Sequence, residues 1–135
     1  MKRVVLTCTA IIFAASNCYA ACAKKTVFSC TTTKGKQIEI CDTGDSLEYA
    51  FGKAGKPDKT VKIAKNKIEI HPMSGGYGCG TIDFPSGTTS YSVFSCVEKQ
   101  SGAWSGGVTV STNGKRAAEI NCNESKTVVD NMGNQ

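Results

Sequence analysis

The sequence predicts an all-β fold, a single antiparallel β-barrel or sandwich of about eight short strands braced by disulfides. Three observations predict it. Apolar residues recur with period two in one segment after another, and no stretch carries a helical period. Turn-forming residues separate these segments at hairpin spacing. Six cysteines (Cys22, Cys30, Cys41, Cys79, Cys96 and Cys122) remain once Met1–Ala20 is set aside, and an even count in a small exported chain implies a disulfide framework.

The segments justify themselves in order. Residues 26–32 (TVFSCTT) place Val27 and Phe28 beside small polar residues. Residues 37–41 (QIEIC) put Ile38 and Ile40 on one face, and 47–51 (LEYAF) do the same for Leu47, Tyr49 and Phe51. Two short alternating runs follow at 61–63 and 67–70, and longer ones at 81–84, 90–97, 107–112 and 117–122. Between them lie Lys34-Gly35, Thr43-Gly44, the stretch 52–57, Asn66-Lys67, Pro85-Ser86-Gly87 and Asn113-Gly114. Asn113-Gly114 is the strongest hairpin signal, because both central positions of a two-residue type I′ turn need positive φ.

Residues 1–20 read as a secretory signal. Lys2 and Arg3 precede a mostly apolar run over 4–15, and Cys18-Tyr19-Ala20 offers small residues at the two positions a signal peptidase inspects. The run is too short to span a bilayer, so no membrane span is expected. Residues 21–124 form the β domain, and the polar stretch 125–135 reads as a flexible tail. The formal net charge is +5 and falls when Lys2 and Arg3 are removed. That balance suits an acidic partner better than nucleic acid, which demands clustered charge. The address expected is the periplasm or the cell exterior.

Six cysteines allow fifteen connectivities, which sequence alone does not fix, and two stand out. Symmetry about the Lys34–Gln37 turn favours Cys30 with Cys41, and symmetry about Gly87 favours Cys79 with Cys96. Cys22 is then left for Cys122. The rival joins Cys30 to Cys122, locking the first and last strands, and leaves Cys41 for Cys22.

Few residues carry chemistry. His71, the single histidine, follows a strand and precedes Pro72, a surface position, so no catalytic role is assigned to it. No CxxC pair and no metal-binding spacing occur, so neither a cofactor nor a metal is expected. The triplet Asp42-Thr43-Gly44 matches that of aspartic proteases, but Glu39 interrupts the preceding strand and the residues are ordinary for a turn. No catalytic residues are assigned, and the protein is not expected to be an enzyme. Ser74-Gly75-Gly76-Tyr77, leading into Cys79, is the strongest contact loop: glycines allow close backbone approach, and Ser and Tyr are adaptable contact residues. Trp104, in the second glycine-rich stretch 101–107, is either a lid over the end of the barrel or an exposed anchor. Lysines 53, 56, 59, 62, 65 and 67 offer a weakly basic region that could steer an encounter.

The opening Phe28-Ser29-Cys30 before Lys34-Gly35, the closing Asn121-Cys122 and the signal segment resemble the small periplasmic lysozyme inhibitors of bacteria. One branch of that family carries a Ser-Gly-x-x-Tyr loop that enters the lysozyme cleft. Ser74-Gly75-Gly76-Tyr77 is similar, with its tyrosine one residue early. The resemblance implies an all-β barrel and inhibition of a wall hydrolase. The expectation is therefore a non-catalytic exported binding protein, an inhibitor or immunity factor against a cell-wall-degrading enzyme. It would contact its protein partner through Ser74, Gly75, Gly76, Tyr77 and Trp104 and exist as a monomer or homodimer. The alternative is a structural or surface-interaction module of the bacterial envelope.

Overall fold

A computed structural model describes residues 22–74 and 77–134. Ten strands follow one another as an antiparallel meander: β1 (Lys25–Thr31), β2 (Gln37–Asp42), β3 (Ser46–Lys53), β4 (Lys56–Ala64), β5 (Glu69–Ser74), β6 (Tyr77–Ser86), β7 (Thr89–Glu98), β8 (Trp104–Thr112), β9 (Lys115–Asn121) and β10 (Val129–Asp130). They form two five-stranded sheets, ordered β10-β1-β2-β3-β4 and β5-β6-β7-β8-β9. The all-β expectation holds in its sandwich form; the sheets do not close into a barrel. A single 3-10 turn at Lys65–Lys67 carries the chain from one sheet to the other. Among the described residues no helix is long and apolar enough to cross a membrane.

Alternation builds the core. Ile38 and Ile40 of β2, Leu47 and Tyr49 of β3, and Val61 of β4 point inward from the first sheet. Ile82 and Phe84 of β6, Val93 of β7 and Val108 of β8 point inward from the second. Each such fully buried apolar side chain contributes roughly 1.5–3 kcal/mol. On β1 both Val27 and Phe28 are buried, which strict alternation forbids; the register shift between Thr26 and Phe28 rotates the strand and permits it. Tyr49 bridges the layers, its ring centroid 5.6 Å from Phe84 and 5.2 Å from Tyr91. Burial, and then proximity to Tyr91, raise its phenol above the ordinary value, so it stays neutral.

The sheets meet along one seam. Thr32 forms an isolated antiparallel bridge with Cys122. Asn123 N donates to Thr31 O at 2.7 Å, and Thr33 N to Asn121 O at 3.1 Å. The Cys30–Cys122 disulfide locks the same point. The remaining bonds are Cys22–Cys41 and Cys79–Cys96. The pairing of Cys30 with Cys41 and Cys22 with Cys122 is therefore overturned in favour of its rival, and register explains why. Cys30 faces Ile38 across the hairpin, while Cys41 faces Thr26. Cys30 is buried, whereas Cys41 sits on the outer face beside buried Ile40. Opposite faces of one sheet cannot share a disulfide. Cys79 and Cys96 are direct register partners, as their symmetry about Gly87 predicts.

The tail also differs from expectation. Residues 125–135 read as flexible, yet Ser29 pairs with Val129 and Phe28 with Asp130. Asn131 donates its backbone N–H to Val27 O at 2.8 Å and its side chain to Thr26 O at 3.1 Å. Met132 is buried in the core. A two-residue strand is too short to show periodicity, so the tail's polar composition concealed one apolar plug and one sheet edge that needed covering.

Loop-closure entropy ranks the bonds by the chain they enclose, with 92 residues separating Cys30 from Cys122 and 19 separating Cys22 from Cys41. Replacing Cys30 and Cys122 together with Ala is expected to cost between about 4 and 5 kcal/mol, against about 3 kcal/mol for Cys22 and Cys41. Urea unfolding of the two double variants checks the order.

Candidate functional site

The β5–β6 hairpin carries the sequence-predicted contact loop. Ser74, at the end of β5, pairs with Cys79, and Tyr77, at the start of β6, pairs with Glu98 on β7. Gly75 and Gly76 lie outside the described residues, as do the side chains of Ser74 and Tyr77. The Cys79–Cys96 bond crosses to β7, with 4.0 Å between the Cα atoms. The tie holds β6 to β7 close to the point where β6 begins; it does not join β6 to β5.

Trp104 faces the tail, two strands across the sheet from Gly78. It is half-buried and starts β8 rather than sitting in a loop. Its indole N–H donates to Ser95 Oγ at 2.9 Å and lies 3.3 Å from Asp130 Oδ2. Buried Ser95 in turn donates to Asp130, so both of its hydrogen-bonding roles are filled. The indole ring stacks on Phe28 at 6.4 Å. Gly106 leaves room for it, since a Cβ at that position would collide with the ring. This is the lid geometry: Trp104 is engaged inward, although register, Trp104 opposite Val97 and Val97 opposite Gly78, puts it at the same end of the second sheet as the start of β6.

Asp42 of the Asp-Thr-Gly triplet is a turn residue. It accepts from Lys65 Nζ at 2.9 Å and from Gly44 N at 2.8 Å. The Lys65 hydrogen bond, then the Gly44 N–H, hold its carboxyl below the ordinary value. The lysines are dispersed. Lys65 is paired with Asp42, Lys59 lies over the Tyr91 ring at 5.8 Å, and Lys53, Lys56, Lys62 and Lys67 are exposed.

Sequence reasoning missed a groove of about 350 Å³ on the outer face of the first sheet. Its floor is Glu39 and Cys41 of β2 with Glu48 and Ala50 of β3; Cys22 and Ala23 wall one side, and the turn at Lys53–Gly55 the other. Cys22 Sγ approaches Glu39 Oε1 to 3.4 Å. A cystine sulfur carries no proton, so this is a packing contact, and neither sulfur is free to bind a metal. Burial first, and the Glu48 charge second, raise the Glu39 carboxyl above its ordinary value. Period-two alternation places both glutamates on the outer face of their strands, but the flanking walls come from distant segments.

A second cluster was also missed. His71 Nε2 lies 3.3 Å from Asp83 Oδ2 and 3.7 Å from Glu69 Oε2, all on the outer face of the β5–β6 hairpin.

No protein-family model matches the chain, and neither a curated protein nor a solved structure matches it. The fold and the geometry of these sites are thus the basis for any functional reading.

Two outcomes follow. Asp130→Ala removes the acceptor that holds Ser95 and Trp104; it should red-shift the tryptophan emission and lower stability by about 1–3 kcal/mol, as read by fluorescence during denaturation. Glu39→Gln should raise the melting temperature at neutral pH. A carboxyl whose folded pKa is raised opposes folding while ionised, and that opposition fades as pH falls through the folded pKa. The gain should therefore close at acid pH, which thermal melts across a pH series would show.

Proposed function

We propose that this protein is an exported, non-catalytic binding protein that inhibits a cell-wall-degrading hydrolase of the lysozyme type. The observation that carries the reading is the Cys79–Cys96 bond, which fixes to β7 the strand β6 that begins at Tyr77. A contact segment anchored on one side in this way loses less conformational entropy when it enters a cleft, so more of the contact energy survives as affinity. Glycines at the turn let the backbone approach a narrow site, and Tyr77 supplies contact area at low entropic cost. Three disulfides in a small all-β chain suit an oxidising compartment outside the cytoplasm. The exposed lysines Lys53, Lys56, Lys62 and Lys67 would speed encounter with an acidic enzyme. Trp104 is withdrawn from the contact set, because its indole N–H is already committed to Ser95 and Asp130.

The test is a turbidity assay on cell walls, with the purified oxidised protein titrated against a panel of lysozymes and amidases. Dose-dependent protection from one enzyme supports the reading, and protection from none overturns it. Tyr77→Ala should weaken inhibition by tenfold or more, about 1.4 kcal/mol, and leave the melting temperature within a degree or so of the parent. Trp104→Phe should leave inhibition unchanged.

A further inference from the structure

We propose that Glu69, His71 and Asp83 form an exchangeable binding site for a divalent transition-metal cation of the zinc class. The site lies on the outer face of the second sheet and is independent of the inhibitor reading.

Register assembles it. Glu69 is the direct cross-strand partner of Asp83, and His71 is two residues along β5, on the same face. Ile82 and Phe84, on either side of Asp83, are fully buried, so Asp83 points outward. The three ligand atoms all lie within 4.8 Å of one another.

Three features favour a shared cation over a simple ion pair. The first is spacing. Two ligands bound to zinc at about 2.0–2.1 Å in a tetrahedron stand about 3.3–3.4 Å apart. The distances here are 3.3 Å from His71 Nε2 to Asp83 and 3.7 Å to Glu69, so the donors are already near that edge length. The second is access. His71 and Glu69 are exposed on this outer face, so a cation reaches the imidazole nitrogen and the carboxylates directly from solvent. The third is charge. Two carboxylates directly opposed across a strand pair repel one another. Among the described residues, neither Glu69 nor Asp83 has a lysine or arginine within ion-pair distance. A dication held between them removes that repulsion.

The donor set selects the class of ion. One imidazole nitrogen with two carboxylates suits zinc and its neighbours, whereas calcium and magnesium prefer all-oxygen shells with more ligands. Three protein ligands leave a fourth position for water or for a group from a partner. His71 and Glu69 are more than half exposed, 58% and 77%, so the ion would exchange with solvent and not serve as a structural core.

The test uses the untagged, oxidised protein freed of metal by chelator and dialysis. Titration calorimetry with zinc chloride should show one equivalent bound, and cobalt(II) should give the intense visible bands of a tetrahedral site. His71→Ala and Asp83→Asn should each weaken zinc binding by about tenfold or more, with circular dichroism confirming that both variants remain folded. Ser92→Ala, on the same outer face, should bind zinc as the parent does. Absence of saturable zinc binding, binding that both substitutions leave unchanged, or equal affinity for magnesium would overturn the assignment.

Discussion

The bridge between the first and ninth strands is the constraint on which the sandwich depends. A ten-strand meander has no topological reason to fold back on itself, since every hydrogen-bonded neighbour but one is also a sequence neighbour. The Thr32–Cys122 bridge and the Cys30–Cys122 bond bring the two halves edge to edge. Once that edge is set, the inner faces have only each other to pack against. Tyr49 then meets Phe84 and Tyr91 across the layers, and Phe28 meets Trp104. The tail completes the arrangement by adding β10 to the exposed side of β1 and delivering Met132 to the interior.

The two sheets put different chemistry on their outer faces. The first presents a carboxylate-floored groove next to a disulfide, walled by the segment that begins at Cys22. The second presents the β5–β6 pair, with its Glu69–His71–Asp83 cluster and the cystine that ties β6 to β7. The proposed contact segment and the proposed metal-type donor set thus lie on the same pair of strands. That pair sits at the edge of its sheet, where strand pairing leaves one side of β5 open to a partner.

Much of the fold was legible in the sequence because alternation reports it directly. Ile38 with Ile40, and Leu47 with Tyr49 and Phe51, were each read as sharing one strand face; that face is the inner one, with Phe51 only partly buried. Asn113-Gly114 was read as a two-residue hairpin turn and adopts positive φ at both positions. What alternation does not report is register. The β1–β2 hairpin turns around Thr32–Lys36, with Thr32 N donating to Lys36 O at 2.7 Å, and that offset puts Cys41 on the face opposite Cys30. The glycines at 106 and 107 looked like loop signals, but they lie within β8 because Trp104 and the β9 backbone occupy the space where their side chains would be. The Glu69–His71–Asp83 cluster had no linear motif, since its members come from two strands and meet only through pairing. The Asp130–Ser95–Trp104 network was hidden for the same reason, with the tail supplying the acceptor.

The long span of the Cys30–Cys122 bond also constrains how the molecule is made. Chains are synthesised from the amino terminus, so Cys22, Cys30 and Cys41 are all present well before Cys122. An oxidant acting on the growing chain finds Cys30 with only wrong partners. Its native bond must either wait for the last strand or be reached by exchange through a mispaired intermediate. Cys79 and Cys96 face no such delay, because their hairpin is complete 17 residues after the first of them appears. Maturation thus has a fast, local oxidation and a slow, global one, and a compartment that supplies a disulfide isomerase would decide how much of the product carries the correct seam.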